Sequence, residues 1–432
     1  MDSPAAKQKF AAMHDFTAKL RQPSALPVVR KYLQWQREVR AAAVAGITAP
    51  AMPEIGPLSI NLDLTTACNY ACDHCIDWDA LNVAVRHEDA QLRLAIENLV
   101  ARGLQSVILL GGGEPTLYPG FGSMVRFLKE LDLQVAVVTN GSNNEKIAEV
   151  AEYFTDGDWV RLSLDSGSDE TFQAMHHPKG RGIDLDQICS SAQGIKRRNP
   201  AVQLGFSFVI TWQGSEREEG AAVVENLHEM EQATKRAKQY GFDYISFKPF
   251  LTRAEAGAEV MDPNQAAEDR QHLVARLRGA LLQSKLQEEA FFQVVESINL
   301  RVFLDGTWKD FTAQPQVCHM QSLRQVLSPL GVFNCPAHRG VEKGRVGKLD
   351  AWATSAPVNP AEQAAAKADT AANLPAVAGT ERLLRDFDAS VECKEVTCLY
   401  NPVNHFLEGI VASDQPVDEL LQSGSDCGDC FL

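Results

Sequence analysis

Three cysteines, Cys68, Cys72 and Cys75, stand in the stretch Thr66-Ala-Cys-Asn-Tyr-Ala-Cys-Asp-His-Cys75. Thiolates at this CxxxCxxC spacing can hold three irons of a cubic four-iron cluster and leave the fourth iron open to a chelating small molecule. A structural zinc site would need a fourth ligand, which here would have to be His74 or a distant residue. Disulfides fit less well, because no apolar signal segment precedes the motif and three thiols this close cannot pair off evenly. The expected setting is a reducing one, the cytoplasm.

About forty residues on, Ser106-Val-Ile-Leu-Leu-Gly-Gly-Gly-Glu-Pro-Thr116 ends an apolar run in three glycines and a carboxylate. Such a run brings bare backbone close against a ligand. To position these groups, the chain offers apolar β-rich runs at 58–64, 106–110, 134–139, 159–164, 204–210 and 243–248, separated by helical stretches. That βαβ rhythm predicts a parallel sheet of the α/β class, and six units fit a partial (β/α)6 barrel. Several runs alternate: Asn61 and Asp63 oppose Ile60 and Leu62, Arg161 and Ser163 oppose Val160 and Leu162, and Tyr244, Ser246 and Lys248 oppose Ile245 and Phe247. A polar face of this kind would line the barrel and form a site. Parallel barrels carry ligands at the carboxyl ends of their strands, where Cys68, Glu114, Asn140, Asp165, Thr211 and Lys248 all fall.

The cysteine motif followed by the glycines and Glu114 resembles the radical S-adenosylmethionine (SAM) enzymes. The resemblance implies a [4Fe–4S] cluster on Cys68, Cys72 and Cys75 with SAM chelated to its open iron. It further implies that His74 contacts adenine, that Gly112, Gly113 and Glu114 hold the SAM ammonium, and that Ser163 and Asp165, with Asn140 near them, meet the ribose or carboxylate. Lys248 is a candidate general acid or base, or a binder of a substrate carboxylate or phosphate.

A second cysteine group follows. Cys318 and Cys335 flank the turn Ser328-Pro-Leu-Gly331 before Val332-Phe333, as in a hairpin between two ligands, and Cys393, Cys398, Cys427 and Cys430 come after. This layout resembles the SPASM and twitch extensions of the same superfamily. It implies one auxiliary [4Fe–4S] cluster on Cys318, Cys335, Cys393 and Cys398. Cys427 and Cys430 would replace a ligand, bind a second cluster or stay free on a tail that Gly424, Ser425 and Gly428 make mobile. Cys189, on the apolar side of a predicted helix over 184–198, is expected to be a core thiol.

The expected organisation is a helical extension over 1–54, a barrel over 55–262, a helical linker over 263–299 and an auxiliary-cluster domain over 300–432. Further helices are expected over 87–102 and 219–240, with Phe10, Met13, Phe16 and Leu20 marking an apolar face in the extension and a loop or short helix over 351–380. The net charge of −15, from 41 basic and 56 acidic residues, argues against a nucleic-acid substrate, and no apolar run is long enough to span a membrane. The expected activity is reductive SAM cleavage to a 5′-deoxyadenosyl radical that takes hydrogen from a small molecule, for oxidation, epimerisation or rearrangement. The alternative is maturation of a peptide side chain, and a non-catalytic iron–sulfur or zinc protein is the third reading. A flavodoxin- or ferredoxin-type protein would supply the electron.

Overall fold

Alternating strands form where the apolar periodicity places them in the computed structural model, which describes residues 14–180, 182–253, 257–261, 269–353 and 374–432. The strands β1 (Ser59–Leu62), β2 (Ser106–Leu109), β3 (Gln134–Thr139), β4 (Trp159–Ser163), β5 (Gln203–Ile210) and β6 (Tyr244–Pro249) lie side by side and parallel in that order. Their outward residues, among them Ile60, Leu62, Val135, Leu162, Phe206 and Phe247, are buried in one continuous apolar cluster with the helices. Each such side chain contributes roughly 1.5–3 kcal/mol by leaving water.

The sheet continues past both edges. β7 (Gln293–Glu296) adds in parallel to β6, and β8 (Arg324–Ser328) adds in parallel to β1. β9 (Gly331–Phe333) and β10 (Arg345–Gly347) then extend the β8 side antiparallel. The stretch expected to be a helical linker therefore holds a strand as well as a helix, Arg270–Lys285. The strand's residues, Gln293-Val-Val-Glu296, offer only two adjacent apolar positions, so neither an alternation nor an apolar run marks them. The turn before Gly331 forms as expected, with Ser328 opposite Gly331.

Helices α1 (Phe16–Leu20) and α2 (Leu26–Ala45) pack in a second apolar cluster with α12 (Asn401–Ala412), through Phe16, Leu20, Val29, Leu33, Val403 and Leu407. Phe10 and Met13 lie outside the described residues, as does 354–373 of the stretch expected to be a loop. Between the strands run α3 (Asp89–Ala101), α4 (Phe121–Glu130), α5 (Asn144–Val150), α6 (Asp169–His176), α7 (Leu185–Arg198) and α8 (Met230–Gln239), then α9 (Arg270–Lys285), α10 (Ile298–Asp305) and α11 (Ala376–Asp386). α3 opens on the Glu88 side chain, which accepts from Gln91 N–H, and α7 on Asp184, which accepts from Gln187 N–H.

α8 is half as long as expected. Residues before it form a small hairpin and tight turns because Asn226 is drawn into the sheet: its amide donates to the carbonyls of Asp165 (2.7 Å) and Val209 (2.8 Å) and accepts from Thr211 N–H (2.8 Å). A buried asparagine that satisfies three backbone groups outweighs the weak helical preference of its neighbours. Cys189 is fully buried in the core, and burial pushes its thiol up to about 12.

Candidate active site

The loop after β1 carries Cys68, Cys72 and Cys75 to the carboxyl end of the sheet. Burial raises the Cys72 thiol well above its usual value, and Cys75 and Cys68 add to the shift by crowding it. Cys75 is likewise pushed up to about 12. The three sulfurs therefore sit together in a place that disfavours free thiolates. His176, at the end of α6, reaches the group with Nδ1 3.2 Å from the Cys72 sulfur and Nε2 3.0 Å from the Leu164 carbonyl.

The glycine-rich loop packs directly on this loop. A Cβ on Gly113 would stand 2.4 Å from the Ala67 carbonyl and 2.7 Å from that of Thr65, so the position admits no side chain. Glu114 N–H donates to the same Ala67 carbonyl (2.8 Å). The Glu114 carboxylate is buried and accepts from Thr116 Oγ1 (2.6 Å), Thr139 Oγ1 (2.7 Å) and Asn140 N–H (2.7 Å). Burial raises its pKa despite those donors. Three of its four bonds go to Oε1, so Oε2 keeps room for another donor such as an ammonium. Asn140 in turn holds Asn69 (2.9 Å) and reaches the Cys68 sulfur.

Asp165, just past β4, has a left-handed backbone (φ 51°). Its carboxylate accepts from Val209 N–H (2.6 Å) and meets His74 Nε2 at 3.0 Å, with His176 Nε2 at 3.5 Å. Burial alone would raise it, but the His74 hydrogen bond and the two imidazoles hold it below the usual carboxylate range. Ser163 shares the lumen face two residues earlier. Lys248, at the end of β6, is held well below its usual value by burial and by the Arg161 guanidinium. Thr211 is engaged with Val224 and Asn226, so it closes a loop and is turned to no site.

Arg339, from the segment after β9, was not singled out by sequence reasoning. Its guanidinium is buried between Asp63 (3.0 Å) at the end of β1 and Asp77 (2.7 Å) in the cysteine loop. Burial, with Asp77 beside it, pushes Asp63 up to about 7 in spite of Arg339. A Cβ on Gly111 would come 2.7 Å from the Arg339 guanidinium. The first glycine of the three is thus required by an arginine from far along the chain. Asp77 and His176 were likewise missed, because nothing in their local sequence marks them.

A second sulfur group forms where Cys318, Cys335, Cys393 and Cys398 converge near Arg324 at the start of β8. Burial raises Cys335, Cys393 and Cys398, and in each case neighbouring cysteines of the same four add to it. Asn404 Nδ2 lies 3.5 Å from the Cys318 sulfur and His338 Nδ1 3.3 Å from that of Cys335.

Comparison with known proteins fits this geometry. Residues 62–219 match the model of the radical SAM superfamily, over the cysteine loop, the glycine loop and Asp165. The chain carries a radical SAM domain over these residues. It is 33% identical over 153 residues to the S-adenosylmethionine-dependent nucleotide dehydratase of Thermoplasmatales archaeon (strain ISO4-H5), covering 35% of this chain and 52% of that protein. It is 30% identical over 125 residues to the sporulation killing factor maturation protein SkfB of Bacillus subtilis (strain 168), covering 29% of this chain and 30% of that protein. The chain thus spans about half the length, or less, of these curated relatives. Its fold is similar to that of Streptococcus suis SuiB, with a TM-score of 0.50 at 13% identity over 96% of this chain and 92% of that one.

Radical SAM enzymes use a [4Fe–4S] cluster and SAM, and the residues present fit both. Three crowded, half-buried thiols suit three irons, and Oε2 of Glu114 beside Cys68 suits an ammonium. The segment of Cys427 and Cys430 corrects one expectation. Their segment is no loose tail: Gln134 donates to the Gly428 carbonyl (2.8 Å) and accepts from Cys430 N–H (2.7 Å), and Ser106 donates to the Cys430 carbonyl (2.8 Å). Ser106 and Gln134 open β2 and β3, so the pair lies at the amino ends of the strands, across the sheet from Cys68. The charges acting on Cys430 come from Asp429, Asp426, Cys427 and Lys19, with none of the four converging cysteines among them. No helix among the described residues is long and apolar enough to cross a membrane.

Proposed function

We propose that this chain cleaves SAM reductively in a barrel over about 55–262 and uses the resulting radical to take a hydrogen atom from a peptide side chain. The observation that carries the reading is the convergence of Cys68, Cys72 and Cys75 with Glu114, Asn140, His74 and Asp165 at one end of the sheet. Bound there, the cluster would supply one electron to the SAM sulfonium, giving methionine and a 5′-deoxyadenosyl radical. The chain's own residues do the rest. Gly112, Gly113 and Glu114 would hold the ammonium, His74 the adenine, and Ser163, Asp165 and Asn140 the ribose or carboxylate. Buried Arg339 holds the loops of Asp63, Asp77 and Gly111 in one geometry.

Cys318, Cys335, Cys393 and Cys398 would hold an auxiliary [4Fe–4S] cluster in the domain over about 300–432. Four thiolates leave that cluster no open iron, so it suits passing an electron away from a substrate radical. A flavodoxin- or ferredoxin-type carrier would reduce the barrel cluster. The sequence alone had ranked a small molecule ahead of a peptide. The peptide reading is supported by relatives named for maturation and peptide biosynthesis, SkfB and YydG. A nucleotide is the second reading, favoured by the dehydratases at 29% and 33% identity.

Anaerobically reconstituted protein given SAM and a strong reductant should form 5′-deoxyadenosine, and the Cys68/Cys72/Cys75→Ala variant should form none. Product formation that survives in the variant would overturn the assignment. A peptide encoded beside the gene should accelerate the reaction and lose hydrogen to the product. Acceleration by nucleoside triphosphates alone would select the second reading.

A further inference from the structure

The register of β4, β5 and β6 sets residues of the lumen face at matching heights. Ser163 pairs with Ser207 and Ser207 with Ser246, so three serines form one row across adjacent strands. Strands about 4.8 Å apart bring such hydroxyls within reach of a single small group. One step toward the amino ends, Arg161, Gly205 and Tyr244 form the next row. One step toward the carboxyl ends stands Lys248.

Gly205 shapes the floor of this patch. A Cβ there would meet the Tyr244 ring at 2.2 Å, so the missing side chain lets the ring lie across β5. The Arg161 guanidinium rests 5.1 Å from the Trp159 ring, and its Nε has no hydrogen-bond partner. Among the described residues, neither the three hydroxyls nor the Lys248 ammonium makes a hydrogen bond or ion pair. The acid acting on both cations is Asp165, whose carboxylate is already committed to His74 and to Val209 N–H. Cations withdrawn from water without an anion are costly, and proteins retain them where a ligand brings the missing charge.

We infer that Arg161 and Lys248, with the hydroxyls of Ser207 and Ser246 between them, receive an oxyanion of the substrate, a phosphate or a carboxylate. The inference rests on the radical SAM reading in placing a substrate in the lumen. Two cations and two neutral donors match the several acceptor oxygens of such a group. Lys248 is then a binding residue that fixes one end of the substrate and so sets which C–H bond faces the radical.

The test uses full-length, reconstituted protein in anaerobic calorimetry with two probes, inorganic phosphate and glutarate. One saturable site is expected for at least one probe, weakened about tenfold or more by Arg161→Met and by Lys248→Met, as for loss of a charged hydrogen bond. Lys248→Arg should retain binding, and SAM affinity should stay within about twofold in all variants, since the dominant contacts of SAM lie elsewhere. Because it removes an unpaired, half-buried charge, Lys248→Met should fold and melt no lower than wild type. Phosphate alone binding supports the site and points to a nucleotide or sugar phosphate, and glutarate alone supports it and points to an acidic side chain or a terminal carboxylate. Three results would overturn the inference: no saturable site, binding indifferent to both substitutions, or variants that lose SAM in place of the probe. Failure to form 5′-deoxyadenosine while probe binding persists would count against the radical reading and leave the anion site standing.

Discussion

At the residue scale, the site depends on side chains that are far apart in the chain. Arg339 pairs with Asp63 and Asp77 at once, so Arg339→Met would leave Asp63 without its cation and Asp77 with only Arg253, 3.7 Å away. It should cost about 3–5 kcal/mol in urea unfolding and weaken SAM binding, and Arg339→Lys should rescue poorly because one ammonium cannot span both acids. A variant with unchanged stability and SAM affinity would show that Arg339 holds nothing in place. Gly113→Ala should give protein that folds but incorporates less iron in the barrel, since its methyl would fall 2.4 Å from the Ala67 carbonyl. The cysteines, the glycines and Glu114 were legible because each needs a residue type at a fixed spacing. Arg339, Asp77 and His176 were not, since their meaning comes from partners 262 and 104 residues away, a relation no local pattern encodes.

At the scale of elements, the six barrel strands were readable from their alternation, and the hairpin from its Pro-Leu-Gly turn. β7, with two adjacent apolar residues between polar ones, carried no pattern to read. The segment at 426–432 was misread, because its glycines and serine look mobile until Gln22, Gln134 and Lys19 are seen to hold it. Phe431 closes the amino end of the sheet, with its ring 5.5 Å from Trp159. Phe431→Ala should cost about 3 kcal/mol and shift Trp159 fluorescence toward the red, whereas unchanged emission would mean the segment does not cover the sheet in solution. α2 and α12 are tied by Glu408, which accepts from Arg40 Nη2 (2.7 Å) and His319 Nε2 (3.0 Å). The His319 hydrogen bond, with Arg40, holds the Glu408 carboxyl down at about 2, below its ordinary 4.5. Its contribution is therefore present above pH 4.5 and lost as pH falls toward 2. Glu408→Gln should unfold about 1 kcal/mol more easily at pH 7, and the gap should narrow steadily below pH 4.5. A gap independent of pH would contradict this.

At the scale of the whole molecule, two sulfur groups sit on one continuous sheet, and Arg339 runs between them, four residues after Cys335 and against the loop of Cys75. The segment that carries the second cysteine group is thereby built into the wall of the proposed SAM site. This explains why the first glycine of the glycine-rich loop answers to a residue from the second cysteine region. The measurement that tests this account most directly is anaerobic iron and sulfide quantification with Mössbauer spectra on three proteins: wild type, Cys68/Cys72/Cys75→Ala and Cys318/Cys335/Cys393/Cys398→Ala. The account predicts about eight irons in wild type and about four in each variant, with only the cluster retained in the second variant changing its spectrum on SAM addition. About four irons in wild type, unchanged when the second group is removed, would contradict it.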